Sequence, residues 1–349
     1  MQMRPMGRTG IQLSELCLGT MTFGSSTEEV DAHAQIDLAL SSGINCIDTA
    51  ELYPTAPMSA ETQGDTETII GRWNAKYPHR RGDYILATKH AGDGVRYIRG
   101  GGAISAQSIP DAIEGSLKRL QTDYIDLYQL HWPNRGSYQF RQNWQFDPSQ
   151  QPPREQVLDD LLSLLTALQQ QVDKGNIRHV GLSNESAWGV MQYLQLAEQY
   201  GLPRVATIQN EYSLLCRLYD TDMAEVAAHE DIGLLAFSPL ATGMLTGKYR
   251  RGQIPAGSRK SVQPELGGRQ TDRVDATLEA YFEVADAFGL DPVHMALAFC
   301  RTRPFMCSAI FGATSLPQLE RILGSVDVVL SDACLEAIDK THRAHPMPF

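Results

Sequence analysis

No block of lysine or arginine occurs anywhere in this sequence. Basic residues number 30 against 41 acidic ones, a formal net charge of -11 at pH 7, and the doublets Arg80-Arg81 and Arg250-Arg251 stand alone. A polyanion needs a concentrated basic face, so nucleic acid and anionic membrane surfaces are not expected partners. Cysteine is sparse: Cys17, Cys46, Cys216, Cys300, Cys307 and Cys334 form no C-x-x-C pair. Zinc-ribbon and thioredoxin-like readings therefore lack support, and reduced thiols without a structural metal are expected. Cys17, Cys46 and Cys307 lie in apolar runs, as core residues do. No apolar stretch is long enough to span a membrane, and Met1–Gly10 carries no signal core, so the expected location is cytoplasmic. Also missing is the G-x-G-x-x-G turn of dinucleotide-binding open sheets. Gly92-Asp93-Gly94 runs on to Tyr97, and Gly100-Gly101-Gly102 to Ser105.

What is present is an alternation. Apolar runs of strand length occur at Glu15–Gly19, Ile44–Ile47, Tyr84–Ala87, Ile125–Leu130, Ile177–Leu182, Val205–Ile208, Leu234–Phe237 and Cys307–Phe311. Each fits a strand buried on both faces. Segments of helical spacing lie between and after them: Glu28–Ser42, Thr66–Lys76, Ile109–Gln121, Glu155–Lys174, Ala187–Tyr200, Asp222–His229, Asp275–Phe288 and Leu316–Gly324. Ser108 with Pro110 reads as a capped helix start, and Gly201, Gly233 and Gly289 read as helix stops. Pro292–Thr302 and Ser331–His342 read as extra helices flanking the last strand. Met3-Arg4 and Ile11–Leu13 read as a hairpin closing a barrel bottom. Eight strands alternating with eight helices predict a (β/α)₈ barrel, one domain over residues 1–349. Three long segments follow strands, at about His90–Gln107, Pro133–Arg154 and Leu240–Val274. They are expected on the C-terminal face, where barrels keep their active sites.

Ionisable residues terminate three consecutive runs. The second ends in Asp48 with Tyr53 five residues on, the third in Lys89 and the fourth in His131. In a barrel these ends converge. Lys89 is expected to lower the Tyr53 pKa, Asp48 to keep Lys89 charged, and His131 to hydrogen-bond a substrate oxygen, giving an acid–base site with tyrosine as proton donor. Singly, each has a plainer reading: a structural ion pair, a packed loop tyrosine, a satisfied core imidazole. Three such residues at adjacent strand ends favour the joint reading.

With these residues in view, the chain resembles the aldo-keto reductase superfamily over nearly its whole length. It is most like the bacterial Tas-type reductases related to potassium-channel β subunits. The likeness rests on the order and spacing of Leu18–Met21, Asp48–Tyr53, Thr88-Lys89, Ser116–His131, Val180–Asn184, Ile208–Ser213, Ser238–Leu240 and Leu245–Tyr249. The resemblance implies a catalytic tetrad of Asp48, Tyr53, Lys89 and His131, and NADPH as cofactor. Ser183, Asn184 and Gln209 would hold the nicotinamide carboxamide, and Gly19, Thr20 and Met21 would lie beside the cofactor. Ser238, Leu240 and Gly243 would cover the pyrophosphate, with Lys248 and Arg259 near the phosphates. Gly312, Thr314 and Gln318 would receive the adenosine-phosphate end. Trp132, Phe23 and Trp144 are candidate substrate residues, with Tyr138 and Phe140 nearby; the loop carrying Trp144 reads equally as a surface excursion. The substrate implied is a small-molecule carbonyl compound. Pro54 and Ile322 depart from the wider pattern, which has glycine and asparagine there. Two other functions stay open. One is a slow-turnover NADPH-binding regulatory subunit. The other is a metal-dependent barrel hydrolase, which would need a His-x-His that Gly19-Thr20-Met21 does not supply.

Overall fold

The computed structural model describes residues 1–349. Two short strands, β1 (Met3–Pro5) and β2 (Gln12–Ser14), pair antiparallel. The next eight are β3 (Leu16–Gly19), β4 (Cys46–Asp48), β5 (Ile85–His90), β6 (Ile125–Leu130), β7 (Ile177–Ser183), β8 (Val205–Glu211), β9 (Gly233–Phe237) and β10 (Met306–Phe311). They form a closed parallel barrel in chain order, with β10 pairing back to β3. The helices are α1 (Glu29–Ser41), α2 (Asp65–Lys76), α3 (Ser108–Leu120), α4 (Arg154–Asp173), α5 (Ala187–Tyr200), α6 (Asp222–Glu230), α7 (Arg259–Val262), α8 (Val274–Ala287), α9 (Pro292–Thr302), α10 (Leu316–Leu323) and α11 (Asp332–Ala344). This is the (β/α)₈ barrel that the alternation predicts.

Side chains alternate across a strand, so each barrel strand feeds two compartments. Leu16, Leu18, Leu86, Tyr128 and Leu130 join the main apolar core with side chains of the helices. Cys17, Cys46, Ala87, Leu127, Leu235, Cys307 and Ile310 cluster separately with Met6 and Leu13, which come from the amino-terminal segment. That second cluster fills the lower barrel interior. The hairpin closes it, and Arg4 donates to the backbone oxygens of Arg301 and Met306 at 2.5 and 3.1 Å.

Four local expectations change. The α3 cap is Ser105 rather than Ser108: the Ser108 N–H donates to Ser105 Oγ at 3.1 Å, and the Ser105 N–H returns to Ser108 Oγ at 3.0 Å. That reciprocal pair is a capping box one turn earlier. Gly233 does not end α6. The left-handed residue there is Asp231 (φ 50), and Gly233 opens β9, where a Cβ would come within 2.5 Å of Cys307 Cβ. The helix packed on the last strand is α9, whereas α8 pairs with α11. The extra layer is thus Val274–Ala287, not Pro292–Thr302, because the all-apolar inner face of α9 suits the sheet. Finally, β5, β7 and β8 continue past the apolar runs, through Thr88–His90, Ser183 and Gln209–Glu211. Those polar extensions are where the site lies.

Candidate active site

Parallel register brings the strand ends level. Asp48 pairs with Gly19 and Ala87, Lys89 with Gln129, and Ser183 with Gln209. On β4, β5, β6 and β8 the residue two above an inward apolar or small side chain is polar: Asp48 above Cys46, Lys89 above Ala87, Gln129 above Leu127, Gln209 above Thr207. The four meet in the barrel mouth.

The fully buried Lys89 ammonium has three protons and three partners. It donates to Asp48 Oδ2 at 2.6 Å, to the Thr49 carbonyl at 2.8 Å and to the Tyr53 hydroxyl at 3.2 Å. The other Asp48 oxygen accepts from Gln209 Nε2 at 2.8 Å and Gln129 Nε2 at 3.2 Å. Burial opposes the charge on Lys89, but Asp48 and Tyr53 outweigh it and hold the pKa above its ordinary value. The ammonium therefore keeps its charge, and it and the Asp48 carboxyl are each fully hydrogen-bonded, the condition under which a buried pair is tolerated.

Tyr53 is part-buried at the rim, 5.9 Å ring to ring from His131 in an edge-on arrangement, with the Lys89 ammonium 4.7 Å from its centroid. The expected fall in its pKa is not found. Burial raises it more than Lys89 lowers it, and Asp48 adds to the rise. The sequence reading weighed the cation and missed the desolvation of a hydroxyl enclosed by protein. Because that hydroxyl accepts from Lys89, its own proton is left to donate elsewhere. His131 is pushed well below the usual imidazole range, first by burial and then by Lys89 and His90, so it is neutral. Its Nδ1 is buried without a partner.

The residues expected at the carboxamide are together. Asn184, in a left-handed conformation (φ 54), donates to the His131 carbonyl at 2.9 Å and to Ser183 Oγ at 3.0 Å. Ser183 Oγ donates to the Gln209 carbonyl at 2.8 Å. Asn184 Oδ1 is buried with no donor. An orphaned buried acceptor is costly, and a primary amide placed there would satisfy it.

The loop after β9 is tightly wound. Ser238, Ala241, Thr242, Gly243 and Gly247 all have positive φ, between 46 and 92°. That winding spends the N–H groups of Ala241 and Gly243 on the carbonyls of Ser238 and Leu240, at 2.8 and 2.9 Å, and closes the loop on itself. Lys248 closes over it, since a Cβ on Gly243 would lie 3.0 Å from Lys248 Nζ; Leu240 is half-buried alongside. Arg259, at the start of α7, finds no carboxylate; its Nε donates only to Gln263 Oε1 at 3.2 Å. Burial, with Arg269 and Arg141 beside it, pulls its pKa down to about 10, partly offset by Tyr53 and Tyr249. A half-buried guanidinium with no carboxylate partner is unpaired, and a phosphate would pair it. At the other rim, Thr314 donates through N–H and Oγ1 to Gln318 Oε1 at 3.0 and 3.2 Å, and Gly312 is exposed.

Some assignments move. Thr20 is fully buried and its hydroxyl is spent on the Asp48 carbonyl at 2.8 Å, so it braces β3 against β4. Gly19 has a packing reason, because a Cβ there would meet the Phe311 carbonyl at 2.8 Å. Met21 is half-buried beside them. Phe23 is corrected as a substrate residue: it is wholly buried in the main core, held by the Thr66 bond to its carbonyl at 2.8 Å. Trp144 is 56 % exposed with Arg273 over its ring at 4.9 Å, and touches none of the tetrad. Trp132 does reach the mouth, 4.9 Å ring to ring from His131, with Nε1 donating to Asp93 at 3.1 Å. Gly92 leaves room for its indole, which a Cβ would meet at 2.1 Å. Sequence reading missed Gln129 and the Glu211 pair. Glu211 holds both Arg269 (2.7 Å) and Arg141 (2.8 Å), each from a long loop. The only advance signal was a polar residue continuing an apolar run.

No cluster of three His, Cys, Asp or Glu side chains could hold a metal ion, and no helix is long and apolar enough to cross a membrane. Comparison with known proteins agrees with the geometry. Residues 15–343 match the model of the aldo/keto reductase family. Protein tas of Escherichia coli is 42 % identical over the whole chain and 99 % of its own length. The uncharacterized oxidoreductase YrpG of Bacillus subtilis is 32 % identical over 96 % of the chain and 94 % of its own length. A probable voltage-gated potassium channel subunit beta of Arabidopsis thaliana is 28 % identical over 99 % and 98 %. A closed eight-stranded barrel with these residues at its mouth, and a family match across almost all of it, place this chain in the aldo/keto reductase family of oxidoreductases.

Proposed function

We propose that this protein reduces aldehydes or ketones to alcohols with NADPH, Tyr53 acting as general acid. The observation that carries the reading is the donor count at Lys89. All three of its N–H groups are committed, one of them to the Tyr53 hydroxyl, which leaves the Tyr53 proton for an oxygen at the mouth. When bound, the nicotinamide cofactor supplies the hydride. Asn184 Oδ1, with Ser183 and Gln209 behind it, would hold the carboxamide. The left-handed loop from Ser238 to Gly247, Lys248 and Arg259 would hold phosphate, and Thr314 with Gln318 the adenosine end. Tyr53 gives its proton to the carbonyl oxygen as negative charge grows there, and Lys89 stabilises the resulting phenolate. Neutral His131 orients the carbonyl, and Trp132 walls the approach.

The test is the oxidation of NADPH against small dicarbonyls, aromatic aldehydes, sugars and ketosteroids. Steady turnover with one class, and a second-order rate constant at least tenfold higher with NADPH than with NADH, is the expected result. Tight NADPH binding with a single slow turnover on every carbonyl would favour a regulatory subunit instead; the Arabidopsis relative is named as a probable voltage-gated potassium channel subunit beta.

A further inference from the structure

Gly100-Gly101-Gly102 has no part in the chemistry above. It lies in the loop after β5, where three successive residues are left-handed: Arg99 (φ 46), Gly100 (φ 67) and Gly101 (φ 80). Side chains rarely tolerate that backbone, and a Cβ on Gly101 would also lie 3.3 Å from Arg96 Cα. The turn sends the Arg99 side chain back toward the barrel. Its Nη1 donates to Glu51 Oε2 at 2.8 Å and its Nη2 to Glu51 Oε1 at 2.6 Å. Nη2 also reaches the Ala91 carbonyl at 3.2 Å and His90 Nδ1 at 3.1 Å. Glu51 is buried, and its Oε1 accepts from the Ala91 N–H at 2.5 Å, while its own N–H donates to the Lys89 carbonyl at 3.3 Å.

Glu51 stands two residues before Tyr53, and Ala91 two residues after Lys89. Around this joint Leu52, Ala91, Val95 and Ile98 form a small apolar cluster against which Tyr53 and Trp132 pack. We propose that Arg99 is a positioning residue for Tyr53: its two-pronged grip on Glu51 locks the Tyr53 loop to the end of β5, so that the Tyr53 hydroxyl meets the Lys89 ammonium. The catalytic consequence rests on the reductase reading; the geometry does not.

Two variants test it. Arg99→Lys keeps the charge beside Glu51 but loses the planar fork. The pair Arg99→Gln with Glu51→Gln removes both charges, so no buried carboxylate is orphaned if the first variant folds poorly. Each is measured three ways: NADPH affinity by cofactor fluorescence, single-turnover hydride transfer per bound NADPH, and ultraviolet titration of Tyr53, taken as the difference from the same variant carrying Tyr53→Phe. The expected result is unchanged affinity, a rate lower by roughly 10- to 100-fold, as small misplacements of a reacting group produce, and a Tyr53 ionisation midpoint shifted to higher pH as Lys89 loses the phenolate. A native rate and midpoint in both variants would overturn the proposal. So would a loss of rate that tracks lost folded protein with the midpoint unmoved, the mark of a merely structural pair. Native turnover by Tyr53→Phe alone would remove the tyrosine-acid reading, and the ionisation midpoint would then decide the positioning role by itself.

Discussion

Cys46 and Asp48 are two residues apart on β4 and face the same barrel interior. Cys46 lies among Cys17, Ala87, Leu127 and Cys307, above Met6 and Leu13. Asp48 binds Lys89, Gln129 and Gln209. One step of the pleat separates a sealed apolar plug from a charged hydrogen-bonded network. The lower layer needs only volume and burial, and its thiols are pushed up in pKa by burial and so kept inert, as at Cys17 and Cys307. The upper layer keeps two charges out of water only because every donor and acceptor on them is matched. Substitutions below should therefore cost stability and spare the rate, and substitutions above should do the reverse unless they orphan a charge.

Lys89→Met tests that last clause and should have the largest effect. Turnover is expected to fall by about 10²–10⁴-fold, and stability by about 3–5 kcal/mol because Asp48 is left buried and unpaired. Adding Asp48→Asn should return most of the stability, since Gln129 and Gln209 still find an acceptor, and none of the rate. Denaturant unfolding and single-turnover kinetics on both variants separate the two effects; recovery of rate in the double variant would contradict the division.

Leu127→Ala, in the lower layer, should cost about 2–5 kcal/mol while the rate per folded molecule stays native. A large kinetic change would mean the layers are coupled. Arg259→Ala, at the rim, should weaken NADPH binding far more than NADH binding, by about 1.5–3 kcal/mol for one charge-assisted contact. Equal losses for both cofactors would move Arg259 away from the extra phosphate.

The smallest expected effect is in pH. His131 has a folded pKa below its unfolded value near 6.5, so the unfolded chain binds the proton first as pH falls. Its contribution is fully present above about pH 6.5 and is lost on acidification toward the folded value, at up to about 1.4 kcal/mol per pH unit. His90, His179 and His342 are shifted the same way and add to it. Melting temperatures from pH 7.5 to 5 should fall, and His131→Gln should flatten part of that slope; an unchanged slope would show His131 to be more hydrated than its burial implies.

The apolar framework was the legible part. Ile125–Leu130 and Ala187–Tyr200 were readable to the residue because hydrophobic period alone defines them. Strand ends were less so, because Lys89, Ser183 and Gln209 break the apolar pattern while the backbone ladder continues. Asp48, Lys89 and His131 stood out as charges closing apolar runs. Gln129, uncharged, gave no such contrast. Glu51 and Arg99 are 48 residues apart, and only the pairing of β4 with β5 brings them together. Phe23 was misread because an aromatic near a strand end serves a pocket or a core equally well; the α2 contact decides for core. Asp275–Phe288 reads as a barrel helix and Pro292–Thr302 as an extra one because both are amphipathic; only the contacts of α9 with β10 and of α8 with α11 separate them.

The most direct test of the tyrosine acid is Tyr53→Phe, which deletes one hydroxyl and keeps the ring. Cofactor fluorescence titration and single-turnover hydride transfer are measured on the same preparation. NADPH affinity should match the native chain, while carbonyl reduction falls by about 10²–10⁴-fold. Native turnover in that variant, or loss of NADPH binding along with the rate, would contradict Tyr53 as the proton donor.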